Sequence, residues 1–266
     1  MKFKQVLLVF FAFLVLSCSS EFEKIRTSSN PELILKNAEK YYKEEDYFRA
    51  QALYEEAIQY YRGQKEAEDI YYKMAYTHYH LGEFILASYY FENFAKTFYN
   101  SEKKEEAVFM SAYSNYRLSP SYKLDQSYSV KAIEGMQNFI NTYPHSDRVA
   151  EANGLIDIMR QKLEQKAYEE GYLYYKIGQY QASLVSFENV LKDFPETARA
   201  EEIRFLMLKS SYTYAQKSVY EKRLERYLET VKLYKNFIYK HPESKYLKEA
   251  ESIYEDSLQQ LENLKS

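Results

Sequence analysis

The sequence predicts an all-α fold built from repeated helix pairs, and three observations support this. Only 6 Gly and 5 Pro occur among 266 residues, whereas a strand-rich fold needs many tight turns. Apolar residues recur at steps of three and four, for example at Tyr180, Leu184, Phe187 and Leu191, which is the helical period. A punctuation pattern also recurs four times at intervals typical of stacked helical repeats.

Each copy of this pattern indicates the end of one helix and the start of the next. It begins at Asn93, Asn138, Asn189 and Asn236. In the last three copies a Pro follows six residues later, whereas Tyr99 takes that place in the first copy. A Ser or Thr follows two residues further on in all four copies. Pro stops a helix, and Ser or Thr caps the next one.

Together the patterns predict five helix pairs and a terminal helix. The predicted pairs are 31–45 with 47–61, 65–81 with 83–98, 101–118 with 126–142, 147–177 with 179–194, and 198–216 with 223–240, followed by 244–264. The segment 147–177 contains no strong breaker, so we expect one long helix there. Two linkers, 119–125 and 217–222, are longer than the other turns.

These pairs resemble tetratricopeptide repeats, which place small residues where two helices cross and aromatic residues around the crossing. The fourth pair matches that pattern at Gly171, Tyr174, Tyr180, Ser183, Phe187 and Pro195, the first at Ala38, Tyr41, Tyr47, Ala50 and Tyr54, and the second at Ala75, Phe84, Ala87 and Phe91. His78 replaces one aromatic residue, and the third and fifth pairs match only in their second helices. The resemblance implies a superhelical solenoid over residues 31–266, with about five helix pairs and a C-terminal capping helix. Such repeats are binding scaffolds.

The N-terminus resembles a bacterial lipoprotein signal. Lys2 and Lys4 precede an apolar run over residues 6–16, which is shorter than the ~20 residues of a membrane span. The run ends in Val15-Leu16-Ser17-Cys18, which resembles a lipobox. The resemblance implies cleavage after residue 17 and acylation of Cys18.

Residues 18–30 are mostly polar and are predicted to form a lipidated tether. The alternative for Cys18 is a buried free thiol beside an ordinary cleavage site. Because Cys18 is the only cysteine, intrachain disulfides and cysteine-based metal sites are excluded.

A lipoprotein with five such repeats resembles the BamD family of the outer-membrane β-barrel assembly machinery. The resemblance is most specific from Tyr143-Pro144-His145-Ser146 to residues 191–197, and it includes the inserted loop near Lys123-Leu124-Asp125-Gln126. It implies a non-catalytic scaffold on the periplasmic face of the outer membrane, anchored by lipid at Cys18. The implied partners are the POTRA domains of an Omp85-type barrel, other assembly-complex subunits and unfolded outer-membrane proteins.

In tetratricopeptide repeats, residues of the first helix of each pair line a concave groove. Carried onto the first two pairs, these positions include Tyr42, Tyr72, Tyr76, Tyr79 and His80. Four tyrosines facing one groove are suited to an extended segment that ends in an aromatic residue, because rings supply contact area and hydroxyls satisfy polar groups. The alternative is that the 31 tyrosines of this chain merely cover neighbouring helices.

The sequence offers little for other classes of function. Basic and acidic residues are mixed and the net charge is −3, so we expect no nucleic-acid partner. No GxSxG, HExxH, phosphate-loop or EF-hand motif occurs. His78 and His80 fall on different helix faces, and the adjacent residues His145-Ser146-Asp147 cannot converge as a triad. We therefore expect no enzyme, no metal and no cofactor.

Three alternatives remain open at this point. The first is a periplasmic repeat lipoprotein that coordinates cell-envelope constriction or peptidoglycan synthesis. The second is a nutrient-capture lipoprotein of the SusD type, although that class is about twice as long. The third is an enzyme acting on the cell wall, for which the spacing of acidic residues and histidines offers no pocket.

Overall fold

The computed structural model describes residues 21–265, and every regular element within that range is a helix. The helices are α1 (Pro31–Lys43), α2 (Tyr47–Tyr61), α3 (Glu66–His80), α4 (Phe84–Thr97), α5 (Lys104–Leu118), α6 (Ser127–Thr142), α7 (Val149–Lys176), α8 (Tyr180–Asp193), α9 (Ala200–Gln216), α10 (Tyr220–Lys240) and α11 (Leu247–Asn263). Residues 21–26 are helical as well. The all-α fold of consecutive helix pairs is confirmed. Helix α10 begins three residues earlier than predicted, because Ser218 and Val219 already complete the turn before it.

The predicted Ser and Thr caps are not the N-cap residues, because Lys103, Arg199 and Tyr246 are the N-caps of α5, α9 and α11 and make no side-chain cap bond. The Ser and Thr residues of the punctuation pattern lie in the turn before each helix instead. The hydroxyls of Ser101, Ser146, Thr197 and Ser244 each accept a hydrogen bond from the backbone N–H two residues later, at 3.0–3.2 Å. Three of these hydroxyls also donate to a carboxylate of an earlier repeat: Ser101 to Glu68, Thr197 to Glu164 and Ser244 to Glu201. One residue therefore closes the turn before a helix and links two repeats.

The helices form two compact units, which we describe separately. Unit 1 contains the described residues up to Pro120 together with Asp125–Met159. In it, α1 to α6 pack in sequence, each against the next. Its core is aromatic, with fully buried side chains at Tyr54, Phe91, Phe94, Phe109 and Phe139. The first part of α7 completes this core with Ala152 and Met159.

Unit 2 contains Ser121–Leu124 and the residues from Arg160 onward. The second part of α7 contributes Tyr168 to a core with Phe187, Val190 and Ile203. A further cluster, around Phe205 and Phe237, joins α9 and α10 to α11. Helix α11 packs on both of these helices, which is the arrangement expected of a capping helix.

Helices cross closely where small residues lie between them. A Cβ added at Gly171 of α7 would lie 2.8 Å from the Phe187 ring of α8, and the Ser183 hydroxyl donates to the Gly171 carbonyl at 3.0 Å. These two residues lie at the crossing that the sequence predicted. Gly135 of α6 meets Ala112 of α5 in the same way, which the sequence did not predict.

The described part of the chain contains no helix that is both long enough and apolar enough to cross a bilayer.

Candidate peptide-binding surface

The five predicted groove residues lie together in unit 1. Tyr42 is on α1, and the other four, Tyr72, Tyr76, Tyr79 and His80, are on α3. Tyr47, the first residue of α2, joins the two helices because its ring lies 5.7 Å from Tyr42 and stacks on His80 at 4.2 Å. We call these six residues the aromatic surface.

The ring contacts continue along α3. His80 lies 6.1 Å from Tyr76, and Tyr76 lies 5.0 Å from Tyr72, measured between ring centroids. Tyr79 meets His80 edge-on at 5.8 Å. Steps of four and three residues place these side chains on neighbouring positions of one helix surface, while Ile70 and Met74 face the core. Edge-on and offset geometries of this kind are the favourable ones for aromatic pairs.

Charged side chains of successive repeats form ion pairs beside the aromatic surface. Glu39, Lys73 and Glu106 lie on the first helices α1, α3 and α5, and Arg148 directly precedes α7. The Lys73 ammonium donates to the Glu39 carboxylate at 2.6 Å, and the Tyr54 hydroxyl donates to the same carboxylate at 3.1 Å. Further along, Glu106 pairs with Arg148 at 2.5 Å. The four charged side chains are partly buried. Each has a partner of opposite charge, so the ion pairs link neighbouring repeats and leave none of the four charges unpaired.

Burial favours the neutral form of several members of the aromatic surface. Burial raises the pKa of Tyr42 to about 12 and also raises that of Tyr72, so both hydroxyls stay protonated. Burial lowers the pKa of His80 below its ordinary value of 6.5, so the imidazole is neutral at pH 7. The surface therefore offers apolar rings and neutral hydrogen-bonding groups.

Two of the rings also have a structural role. The Tyr76 ring packs edge-on against the buried Phe91 at 4.9 Å, and its hydroxyl donates to Glu106 at 2.8 Å. The Tyr79 hydroxyl accepts a hydrogen bond from Arg117 at 3.0 Å. A bound segment would thus meet the exposed parts of rings whose positions are already fixed, which lowers the entropy cost of binding.

Unit 1 also contains a cleft that the sequence analysis missed. Helices α4 and α6 form its walls and α5 its floor, and its volume is about 960 Å³. The α4 wall carries exposed apolar side chains at Ile85 and Tyr89. Ser111 and Asn115 of the α5 floor donate hydrogen bonds to Ser88 of the α4 wall. We call it the α4–α6 cleft. The four-residue spacing of Ile85 and Tyr89 was visible in the sequence, but their exposure depends on α5 and α6.

His78 and Ser146 make contacts that support the fold. His78 is buried, stacks on Tyr90 at 4.7 Å and places its Nδ1 atom 2.7 Å from the Glu83 carboxylate. Ser146 caps the turn before α7. No group of three His, Cys, Asp or Glu residues that could hold a metal ion occurs between residues 21 and 265. Cys18 lies outside the described residues.

Comparison with known families identifies the lineage of the chain. A family model described as "YfiO: Outer membrane lipoprotein" matches residues 28–223. The chain belongs to the YfiO family. This confirms the predicted resemblance, because YfiO and BamD denote the same family. The YfiO match extends through unit 1 into unit 2 as far as residue 223, and it includes the whole aromatic surface.

Other comparisons add less. No curated protein sequence matches this YfiO-family chain significantly. A solved tetratricopeptide-repeat protein from Thermus thermophilus is 14% identical and covers 86% of this chain and 99% of its own, with a TM-score of 0.34. The helix pairs are shown by the packing of consecutive helices within each unit.

Proposed function

We propose that this protein is a non-catalytic scaffold of outer-membrane β-barrel assembly, held on the periplasmic face of the outer membrane by acylated Cys18. The observation that carries the proposal is the YfiO-family match over residues 28–223. The consecutive helix pairs support it, since such scaffolds bind other proteins through extended surfaces. The family description itself names the outer membrane. The role in β-barrel assembly goes beyond that description and is our proposal.

The proposed partners divide between the complex and its clients. The POTRA domains of an Omp85-type barrel and the other subunits would form the complex, and we assign no residue to those interfaces. Unfolded outer-membrane proteins would be the clients. We propose that the aromatic surface takes an extended client segment that ends in an aromatic residue, because its rings are neutral and fixed in position.

The first experiment is a pull-down of the tagged protein from its own membranes in mild detergent, analysed by mass spectrometry. We expect stoichiometric recovery of an Omp85-type barrel. Recovery of peptidoglycan enzymes without the barrel would support the alternative, a periplasmic repeat lipoprotein that coordinates envelope or peptidoglycan processes. A Cys18→Ser variant should leave the outer-membrane fraction, and its full retention there would contradict the lipid anchor.

A second experiment tests the client surface. The double variant Tyr76→Ala with Tyr79→Ala should weaken binding of a C-terminal strand peptide by about 1–3 kcal/mol, the range of aromatic anchors. The matched control is Ile85→Ala with Tyr89→Ala, which removes two exposed side chains of the α4–α6 cleft in the same unit. Circular dichroism melts confirm that both variants fold. If the affinity of the first variant for the peptide is unchanged, the rings of Tyr76 and Tyr79 have only a structural role.

A further inference from the structure

The segment before α1 is not free of the folded body. Residues 21–26 form a helix, and Phe22 and Ile25 pack against the core cluster of the first helix pair. The Phe22 ring lies 6.0 Å from the Tyr41 ring, edge-on. The Arg49 guanidinium lies over both rings, 5.9 Å from Phe22 and 5.4 Å from Tyr41. The predicted tether is therefore docked from residue 21 onward.

This docking leaves very little chain for a tether. Only Ser19 and Ser20 separate Cys18 from Glu21, so three residue steps of ~3.6 Å limit the separation of their Cα atoms to about 11 Å. The acyl chains of a lipidated Cys18 insert into the bilayer. If Cys18 is acylated, as the proposed function requires, the start of the docked helix lies at the level of the lipid headgroups.

One exposed side chain near this point is suited to a lipid surface. Phe48 is 73% exposed and directly precedes Arg49, whose guanidinium contacts Phe22. Lys40 belongs to the same group, with its ammonium 5.7 Å from the Tyr41 ring centroid. An aromatic ring beside a cation fits the membrane interface, where the ring enters the acyl boundary and the cation meets phosphate groups.

We propose that the first helix pair lies directly on the lipid bilayer, with Phe48 inserted at the headgroup boundary. The occupant of this surface is lipid, because the length of chain between Cys18 and Glu21 keeps the two within about 11 Å. The inference depends on acylation of Cys18 but not on any partner of the assembly complex.

The chain contains no Trp, so a single introduced Trp reports its own surroundings. We would compare Phe48→Trp with Tyr239→Trp, which alters an 81% exposed ring of unit 2. The acylated proteins are reconstituted in phosphatidylethanolamine and phosphatidylglycerol vesicles with brominated acyl chains. We expect several-fold stronger quenching at position 48 than at position 239. A flexible Gly-Ser insertion of about ten residues between Ser20 and Glu21 should abolish the difference while the protein stays bound, because it lengthens the reach.

The outcomes separate this inference from the proposed function. If the acylated, vesicle-bound protein shows equal quenching at both positions, the membrane contact is overturned and the lipid anchor stands. If the insertion leaves the stronger quenching at position 48 unchanged, Phe48 contacts lipid through its own affinity, which supports the contact and overturns only the argument from chain length. If mass spectrometry finds no acyl chain on Cys18, the proposed lipid anchor and the membrane contact of the first helix pair are both contradicted. Protection of position 48 only after addition of the Omp85-type barrel would identify a protein occupant and would also overturn the inference.

Discussion

Each compact unit contains one close helix crossing at a glycine, and the two crossings differ in what the glycine meets. In unit 1, a Cβ at Gly135 would lie 2.8 Å from the Ala112 Cβ and 3.3 Å from its Cα. In unit 2, a Cβ at Gly171 would lie 2.8 Å from the ring of Phe187. A ring can turn, whereas a methyl group and the backbone cannot. The approach of α5 and α6 is therefore set by the backbone, and that of α7 and α8 by a side chain.

The largest effect on stability should come from the crossing of α5 and α6, where the backbone sets the approach. Gly135→Leu should lower the free energy of unfolding by about 3 kcal/mol or more, because the helices themselves must separate. Urea denaturation measures the loss, and hydrogen exchange should localise it to α5 and α6. The swap of Gly135→Ala with Ala112→Gly should recover most of the stability that Gly135→Ala alone loses.

Gly154 of α7 provides the matched control. It is an exposed helical glycine, and a Cβ added there has no neighbour within 4 Å. Gly154→Ala should therefore raise the free energy of unfolding by up to about 1 kcal/mol through helix propensity. A loss of stability at Gly154 similar to that at Gly135 would show that crowding is not the cause.

The side-chain-limited crossing should be the more tolerant of the two. Gly171→Leu should cost about 2 kcal/mol, since the buried Phe187 can adjust only in part. Combining Gly171→Ala with Phe187→Leu should cost less than the sum of the two single changes, which a double-mutant cycle measures. An unchanged melting temperature for Gly171→Leu would contradict the repeat alignment at this position.

The two crossings also show what could be predicted from sequence. Gly171 and Ser183 were predicted because they fit a repeat pattern with fixed spacing. Gly135 lies in the second helix of the third pair, and its close contact with Ala112 of the first helix was not predicted. That first helix departs from the repeat pattern, so the pattern gave no sign of the contact. The same holds for the stacking of Tyr47 on His80 and the docking of Phe22, since each contact joins elements that periodicity treats separately. All eleven predicted helices, by contrast, follow from local spacing and caps.

A smaller effect is expected at the turn hydroxyls that link repeats, which occur in both units. Thr197→Val keeps the shape but removes the hydroxyl that accepts from the Arg199 N–H and donates to Glu164. The expected cost is about 1–2 kcal/mol. Ser101→Ala removes the corresponding pair of bonds, to Lys103 and Glu68, in unit 1. Thermal denaturation should show similar losses of the free energy of unfolding for the two variants. A loss for only one of them would show that the hydroxyl links in the two units do not contribute equally.

The smallest effect concerns one pair of equivalent positions that differ in charge. Lys103 donates to Asp69 in unit 1, whereas Arg199 donates to the neutral Gln165 in unit 2. The Lys103 ammonium, with a contribution from Lys73, holds the pKa of Asp69 below its ordinary value of 3.8. A carboxyl with a lowered folded-state pKa stabilises the fold above the unfolded pKa, and this stabilisation is lost as the pH falls through the folded-state value.

Asp69→Asn should therefore cost less than about 1 kcal/mol at pH 7, since the carboxylate is half exposed and such pairs are screened by solvent. Its cost should vanish below the folded-state pKa of Asp69, whereas the cost of Gln165→Ala should not change with pH. Urea denaturation over a series of pH values from 7 downward tests the difference. If the Asp69→Asn cost did not fall as the pH is lowered, the contribution of Asp69 would be that of a neutral hydrogen bond. Lys103 and Arg199 would then link neighbouring repeats by the same kind of contact, each within its own unit.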